Sequence, residues 1–148
     1  MTTATIPPQQ VDIHDILPQA EPFVLVDRLT AWERDRAATV LTVREGIPLL
    51  EGDMLPACAL VEVIAQTCAA SIGYYHKYVL HVPIKLGYIG AISDLTTSRD
   101  IRRGETLSTT ITVLERAMGL SLVEATVTAG DEVVAHGNMK IALSDIEK

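Results

Sequence analysis

The stretch from Ala57 to Tyr75 carries one charge, Glu62. An ionised carboxylate in apolar surroundings is costly unless it is paired, hydrogen-bonded or neutralised. A Glu placed there has partners, holds a proton or takes part in moving one. Gln66 follows four residues later. In a helix this spacing sets both side chains on one face, with Cys58 a turn earlier on the same stripe. A carboxylate steadied by an amide can serve acid–base chemistry. The same residues also fit a structural reading, in which a core helix carries one carboxylate at a surface gap or subunit interface.

Other chemistry-bearing types give less. Cys58 and Cys68 lie ten residues apart on the same predicted helix, about 15 Å along its axis, too far to pair as a disulfide. Cys58 reads as a small buried residue rather than a nucleophile. Two free thiols suit a reducing compartment, so the expectation is a cytoplasmic protein. His14, His76, His81 and His136 form no zinc spacing, and no metal or cofactor is expected. His136 falls on the polar face of a strand, His14 in a short N-terminal helix, and His76 and His81 beyond the end of the long helix, where positive charge complements the dipole. Asp27 is assigned no chemistry.

Composition bounds the answer. The 148 residues fit one domain, with a net charge of -7. That balance argues against nucleic acid, which requires clustered Lys and Arg. One Phe, one Trp and four Tyr leave the core to Val, Ile, Leu and Ala. Residues 1–8 lack the basic and apolar regions of a signal peptide. The apolar helix is interrupted by Glu, Gln, Thr and Ser, so no membrane span is expected.

The elements that must position Glu62 follow from the pattern. Residues 1–10 read as a flexible tail and 11–148 as a single domain. Val11 to Leu17 suggests a short helix, stopped by Pro18. Phe23 to Leu29 and Ala37 to Val43 read as strands joined by a charged hairpin turn, Glu33 to Arg36. A loop from Glu45 to Leu55 leads to the long helix, with Pro56 in its first turn and Asp53 as the candidate cap. Four further strands are predicted at Ile84 to Ile92, Leu107 to Val113, Leu120 to Thr128 and Val133 to Leu143, with turns at Met118-Gly119 and Gly130-Asp131. In the last of these, Val133, Ala135, Gly137, Met139, Ile141 and Leu143 share one face, and Val134, His136, Asn138 and Lys140 the other. An antiparallel sheet of about six strands needs one apolar face covered. Only the helix after Pro56 is long and apolar enough. The predicted fold is α+β, a sheet wrapped around one central helix that is apolar nearly all round.

Four segments then carry a resemblance. Residues 16–28 (ILPQAEPFVLVDR), 54–66 (MLPACALVEVIAQ), 85–90 (KLGYIG) and 103–107 (RGETL) resemble, in order, segments of β-hydroxyacyl-acyl-carrier-protein dehydratases. The pattern is most similar to the divergent dehydratase-like branch associated with aryl polyene synthesis. The resemblance implies the hot-dog fold and a dimer with sites at the subunit interface. It implies a 3-hydroxyacyl thioester as substrate, on a carrier protein or coenzyme A, that loses water. It places Glu62 as the helix acid, Gln66 as the group orienting Glu62 or a water, and the Ala57 and Cys58 amides as donors to the thioester carbonyl. Free N–H groups at a helix start favour negative charge developing there.

The chain departs from that family where its histidine should be. The loop before the helix holds Pro48 near the expected position, and the opening motif has Gln19 where the family usually has His. A Gln side chain hydrogen-bonds but does not exchange a proton near neutral pH. Three readings stay open. The chain is half of a dehydratase, as a homodimer or as a heterodimer with a hot-dog subunit that supplies the His; or it is a thioesterase using Glu62 and Gln66; or it is a non-catalytic acyl-thioester-binding subunit. Arg102 and Arg103 at a turn read as solvated or as contacts for a carrier's phosphopantetheine.

Overall fold

The computed structural model describes residues 6–147. Strand β1 (Arg28–Glu33) turns at Arg34-Asp35 into β2 (Arg36–Thr42). A loop and the two-residue strand β3 (Met54–Leu55) precede the helix α1 (Ala59–Tyr74), which runs into a π-turn at Tyr75–Val79. Strands β4 (Lys85–Thr97), β5 (Ile101–Arg102), β6 (Thr106–Ala117), β7 (Leu120–Ala129) and β8 (Glu132–Glu147) complete the chain. The large sheet has six antiparallel strands in the order β1-β2-β6-β7-β8-β4, and β3 pairs separately with β5. The sheet folds over α1, which touches β1, β2, β4, β6 and β7. This is the hot-dog arrangement expected above. Among the described residues no helix is long and apolar enough to cross a membrane.

Alternation explains most of the sheet. Leu107, Thr109 and Ile111 of β6 face inward, as do Ala37, Thr39 and Leu41 of β2. They meet Leu60, Val63, Ile64 and Thr67 of α1, all buried. Removing an aliphatic side chain of this size from water stabilises the fold by about 1.5–3 kcal/mol. Of the three buried hydroxyls in this layer, two satisfy each other: Thr67 Oγ1 donates to the Val63 carbonyl at 2.8 Å and lies 2.7 Å from Thr39 Oγ1, while Thr109 Oγ1 has no hydrogen-bond partner among the described residues. On the far side of α1, Gly73 lets the backbone of Ile16 pack directly on the helix. A Cβ at Gly73 would lie 2.0 Å from the Ile16 carbonyl oxygen.

Several expectations are corrected. Residues 1–5 lie outside the described residues, but residues 6–10 are docked rather than a loose tail. Gln9 Nε2 donates to the Thr30 carbonyl at 3.0 Å, and the Tyr74 hydroxyl donates to the Ile6 carbonyl at 2.7 Å. The helix expected at Val11 to Leu17 is one 3-10 turn, Ile13–Asp15, capped by the Asp12 side chain. The strand expected at Phe23 starts only at Arg28, because Phe23 and Leu25 spend backbone hydrogen bonds on a side chain of α1 instead of a neighbouring strand. Asp53 does not cap α1; it pairs with Arg103 at 3.2 Å. In β8, Val133 is exposed and Val134 buried, opposite to the simple alternation. A register shift between Val127 and Thr128 of β7 lets the β8 strand slip one residue there.

Candidate functional site

Glu62 sits in the first turn of α1, half-buried. It opens onto a cavity of about 240 Å³ lined by Pro18, Gln19, Ala65, Ala69, Ile72, Gly87, Tyr88, Ile89 and Ile141. The helix contributes Glu62, Ala65, Ala69 and Ile72, a stripe at helical spacing along one face. That stripe was open to reading from the sequence. The β4 and β8 residues opposite it were not, because nothing local ties Gly87 or Ile141 to Glu62.

Gln66 is fully buried and does not line the cavity. Its carbonyl oxygen accepts from the Leu25 amide at 2.7 Å, while its amide nitrogen donates to the Phe23 carbonyl at 2.9 Å and to Glu62 Oε1 at 3.0 Å. A backbone donor on one side and a backbone acceptor on the other dictate which way the amide points. Gln66 thus aims one carboxylate oxygen and ties the segment at 23–25 to the helix.

Gln19, which stands where the resemblance places a His, lies at the same cavity, and its side-chain oxygen is buried with no hydrogen-bond partner among the described residues. An unpaired buried acceptor costs about 1–3 kcal/mol. Gln19 supplies no titratable proton.

At the helix start, the Ala57 amide is already engaged. It donates to Asp100 Oδ1 at 2.9 Å. Arg99 holds the turn that carries Asp100: it forks onto Glu105 at 2.8 and 2.9 Å and also reaches Glu132. Arg99, together with the Arg102 amide, keeps the Glu105 carboxyl low, at about 2. Asp100 was missed from sequence because it acts across 43 positions. The Cys58 amide has no hydrogen-bond partner among the described residues. The Cys58 side chain is exposed, not buried as expected, while burial pushes the Cys68 thiol up to about 12. Arg103 pairs with Asp53 and Glu45.

None of the four histidines lines the Glu62 cavity. His14 is exposed, 2.7 Å from Asp12 and 2.9 Å from Glu21. Glu21 first and Asp12 second hold its pKa above the ordinary value. His136 faces outward near Glu124, as expected. His81 is exposed. His76 corrects an expectation: it is buried rather than a cation at the helix end. Its Nδ1 accepts from the Lys85 amide at 3.2 Å. Burial first, then Lys85 and Arg34, push its pKa down.

Above the cavity lies β4, which forms an edge of the sheet. Its apolar side chains are open to solvent: Tyr88 is 50%, Ile89 43% and Ile92 43% exposed. The cavity therefore has a carboxylate with a fixed partner and one wall on an uncovered strand.

Comparison with known proteins gives a consistent picture. The ApeP-like family, described as ApeP dehydratase, matches residues 11–147. A 3-hydroxyacyl-[acyl-carrier-protein] dehydratase FabZ from Clostridioides difficile is 27% identical over 138 residues, covering 89% of this chain and 94% of its own. The FabZ of Acetivibrio thermocellus is 28% identical over 145 residues, covering 93% and 96%. In fold, the chain is similar to the dehydratase heterocomplex ApeI:P from Xenorhabdus doucetiae, with a TM-score of 0.84 at 18% identity, over 91% of this chain and 92% of that one.

Proposed function

The chain belongs to the ApeP-like dehydratase family, and on that premise we propose that it is the acid-bearing half of a two-subunit cytoplasmic dehydratase acting on 3-hydroxyacyl thioesters of a carrier protein. The observation that carries this reading is a cavity with an oriented Glu62, lined by no histidine, beneath an uncovered edge strand. Everything on this chain's side of an acid–base pair is present, and the open side is where a second subunit would bring the rest. The similarity to a structure described as a dehydratase heterocomplex supports a partner that is another hot-dog subunit rather than a second copy.

In this reading the substrate's hydroxyl enters beside Glu62, and a histidine of the partner approaches from over β4. One of the two groups takes the proton from carbon two. The bond between carbon three and oxygen breaks, and the other group supplies the proton with which the hydroxyl leaves as water. The products are a 2-enoyl thioester and water. Gln66 keeps Glu62 pointed at the cavity. Cys58 offers its unengaged amide to the thioester carbonyl, whereas the Ala57 amide would serve only if Asp100 let go. Ordered donors at a helix start lower the energy of the negative charge that develops on that oxygen.

The test is a 3-hydroxyacyl carrier protein offered to this chain alone and to its mixture with a histidine-bearing hot-dog subunit, with products followed by mass. Enoyl product is expected only from the mixture, and Glu62→Gln in this chain should lower it by about two to four powers of ten. Free thiol from this chain alone would replace the dehydratase with a thioesterase. Neither product from any mixture would leave an acyl-binding subunit.

A further inference from the structure

A second cavity lies behind the first. It measures about 370 Å³ and is enclosed by the C-terminal half of α1 and the β6–β7 end of the sheet. Its walls include Trp32, Cys68, Ile111 and Val123. The basic side chains at its rim are turned to other partners, and the His76 ring among them is neutral. Arg34 lies 4.1 Å above the Tyr75 ring, Arg116 pairs with Asp35, and His76 accepts from the Lys85 amide. Two residues line both cavities, Ile72 of α1 and Ile141 of β8. They converge against Gly87: a Cβ built there would lie 3.2 Å from Ile141 Cγ2 and 3.6 Å from Ile72 Cδ1.

We propose that Ile72 and Ile141, meeting over Gly87, form a partition that sets the acyl-chain length the Glu62 cavity accepts, and that the chamber behind them is reserve space a longer chain fills only when the partition is removed. This rests on the acyl-thioester reading of Glu62. The helix supplies the ruler. From Glu62 to Ile72 is about 15 Å of axis, room for roughly a dozen carbons of extended chain. Along that path the chain passes Ala65 and Ala69, whose small side chains leave it room, and then reaches two β-branched side chains with little rotamer freedom. A side chain at position 87 would occupy the same point, so its absence is part of the partition's shape.

Trp32 makes the inference measurable, because it is the chain's one tryptophan and it lines only the rear chamber. Saturated acyl-coenzyme A esters of increasing length would be titrated into the full chain, in the assembly in which it purifies. Binding would be followed by calorimetry and the rear chamber by tryptophan emission, with Trp32→Phe as control. Affinity should rise about fourfold per methylene up to roughly a dozen carbons and then level off, with Trp32 emission unchanged throughout. In Ile72→Ala the rise should continue past that length, and emission should change for the longer esters. In Gly87→Ala, which crowds the same point, the break should move to shorter chains. An unchanged break in both variants, or a Trp32 response to long esters in the unaltered chain, would overturn the partition while leaving the acyl site. No binding at any length in any variant would overturn the acyl reading itself, and the partition with it.

Discussion

Strands β1 and β4 are the two edges of one sheet, and only β1 is covered. Gln9, in the turn that precedes it, donates to the Thr30 carbonyl, and Trp32 packs against Tyr74 and Tyr75 at 5.0 and 5.8 Å while its N–H reaches Ser71. The chain closes that edge with its own residues. At β4 it presents Tyr88, Ile89 and Ile92 to solvent. Exposed apolar edges invite pairing with another chain, and monomeric proteins usually blunt them with charge or cover. This one covers the edge away from Glu62 and leaves open the edge that walls the Glu62 cavity. The difference teaches that the Glu62 cavity and the uncovered edge strand are one feature.

Charging the open edge should break the comparison most severely. Tyr88→Asp with Ile92→Asp is expected to weaken subunit association by two orders of magnitude or more, read by sedimentation, with the far-ultraviolet circular dichroism of the separated chain unchanged. Burying an unpaired carboxylate in an interface costs several kcal/mol. If association survived, β4 would be an ordinary surface.

The matching change at the covered edge should act on folding instead. Trp32→Ala removes an aromatic that stacks on Tyr75, packs tilted against Tyr74, and donates to the Ser71 carbonyl and hydroxyl at 3.1 and 3.2 Å. About 3 kcal/mol of stability should be lost in urea unfolding, with association unaffected once the protein is folded. A loss of association without a loss of stability would reverse the roles of the edges.

The smallest effect separates the edges by acid. His76 receives the Lys85 amide at the start of β4, and its pKa lies below the ordinary 6.5 because burial disfavours the charged ring. The unfolded chain takes up that proton first as pH falls. The contribution is therefore complete above pH 6.5 and is lost as pH drops from there toward the depressed folded value. His14, in the N-terminal segment, behaves oppositely. Its pKa is raised by Glu21 and Asp12, so its contribution is complete below 6.5 and is lost as pH rises through the folded value. Urea unfolding of the full chain and of His76→Asn across pH 7.5 to 5.5 should show a loss on acidification that the variant lacks. An equal loss in both would free His76 of this role.

Much of the fold, and the helix pair at the centre of the candidate site, were legible in the residues alone. Alternation at 107–113, the hairpin at 33–36 and a helix bearing one charge depend on backbone periods of two and 3.6 residues, which local sequence displays directly. The Glu62–Gln66 spacing is a property of the helix itself, so the pair could be read before any fold was known. Tertiary structure decided what lay between distant residues. It turned 23–25 from a strand into a segment held by Gln66, since a buried side-chain amide can replace a neighbouring strand. It brought Asp100 to the Ala57 amide, exposed Cys58, buried His76 and slipped β8 at Val134. It also joined Ile72, Gly87 and Ile141 at one point. Each of these depends on which groups meet across the core, and hydrogen-bond satisfaction and close packing settle that only once the whole chain is in place.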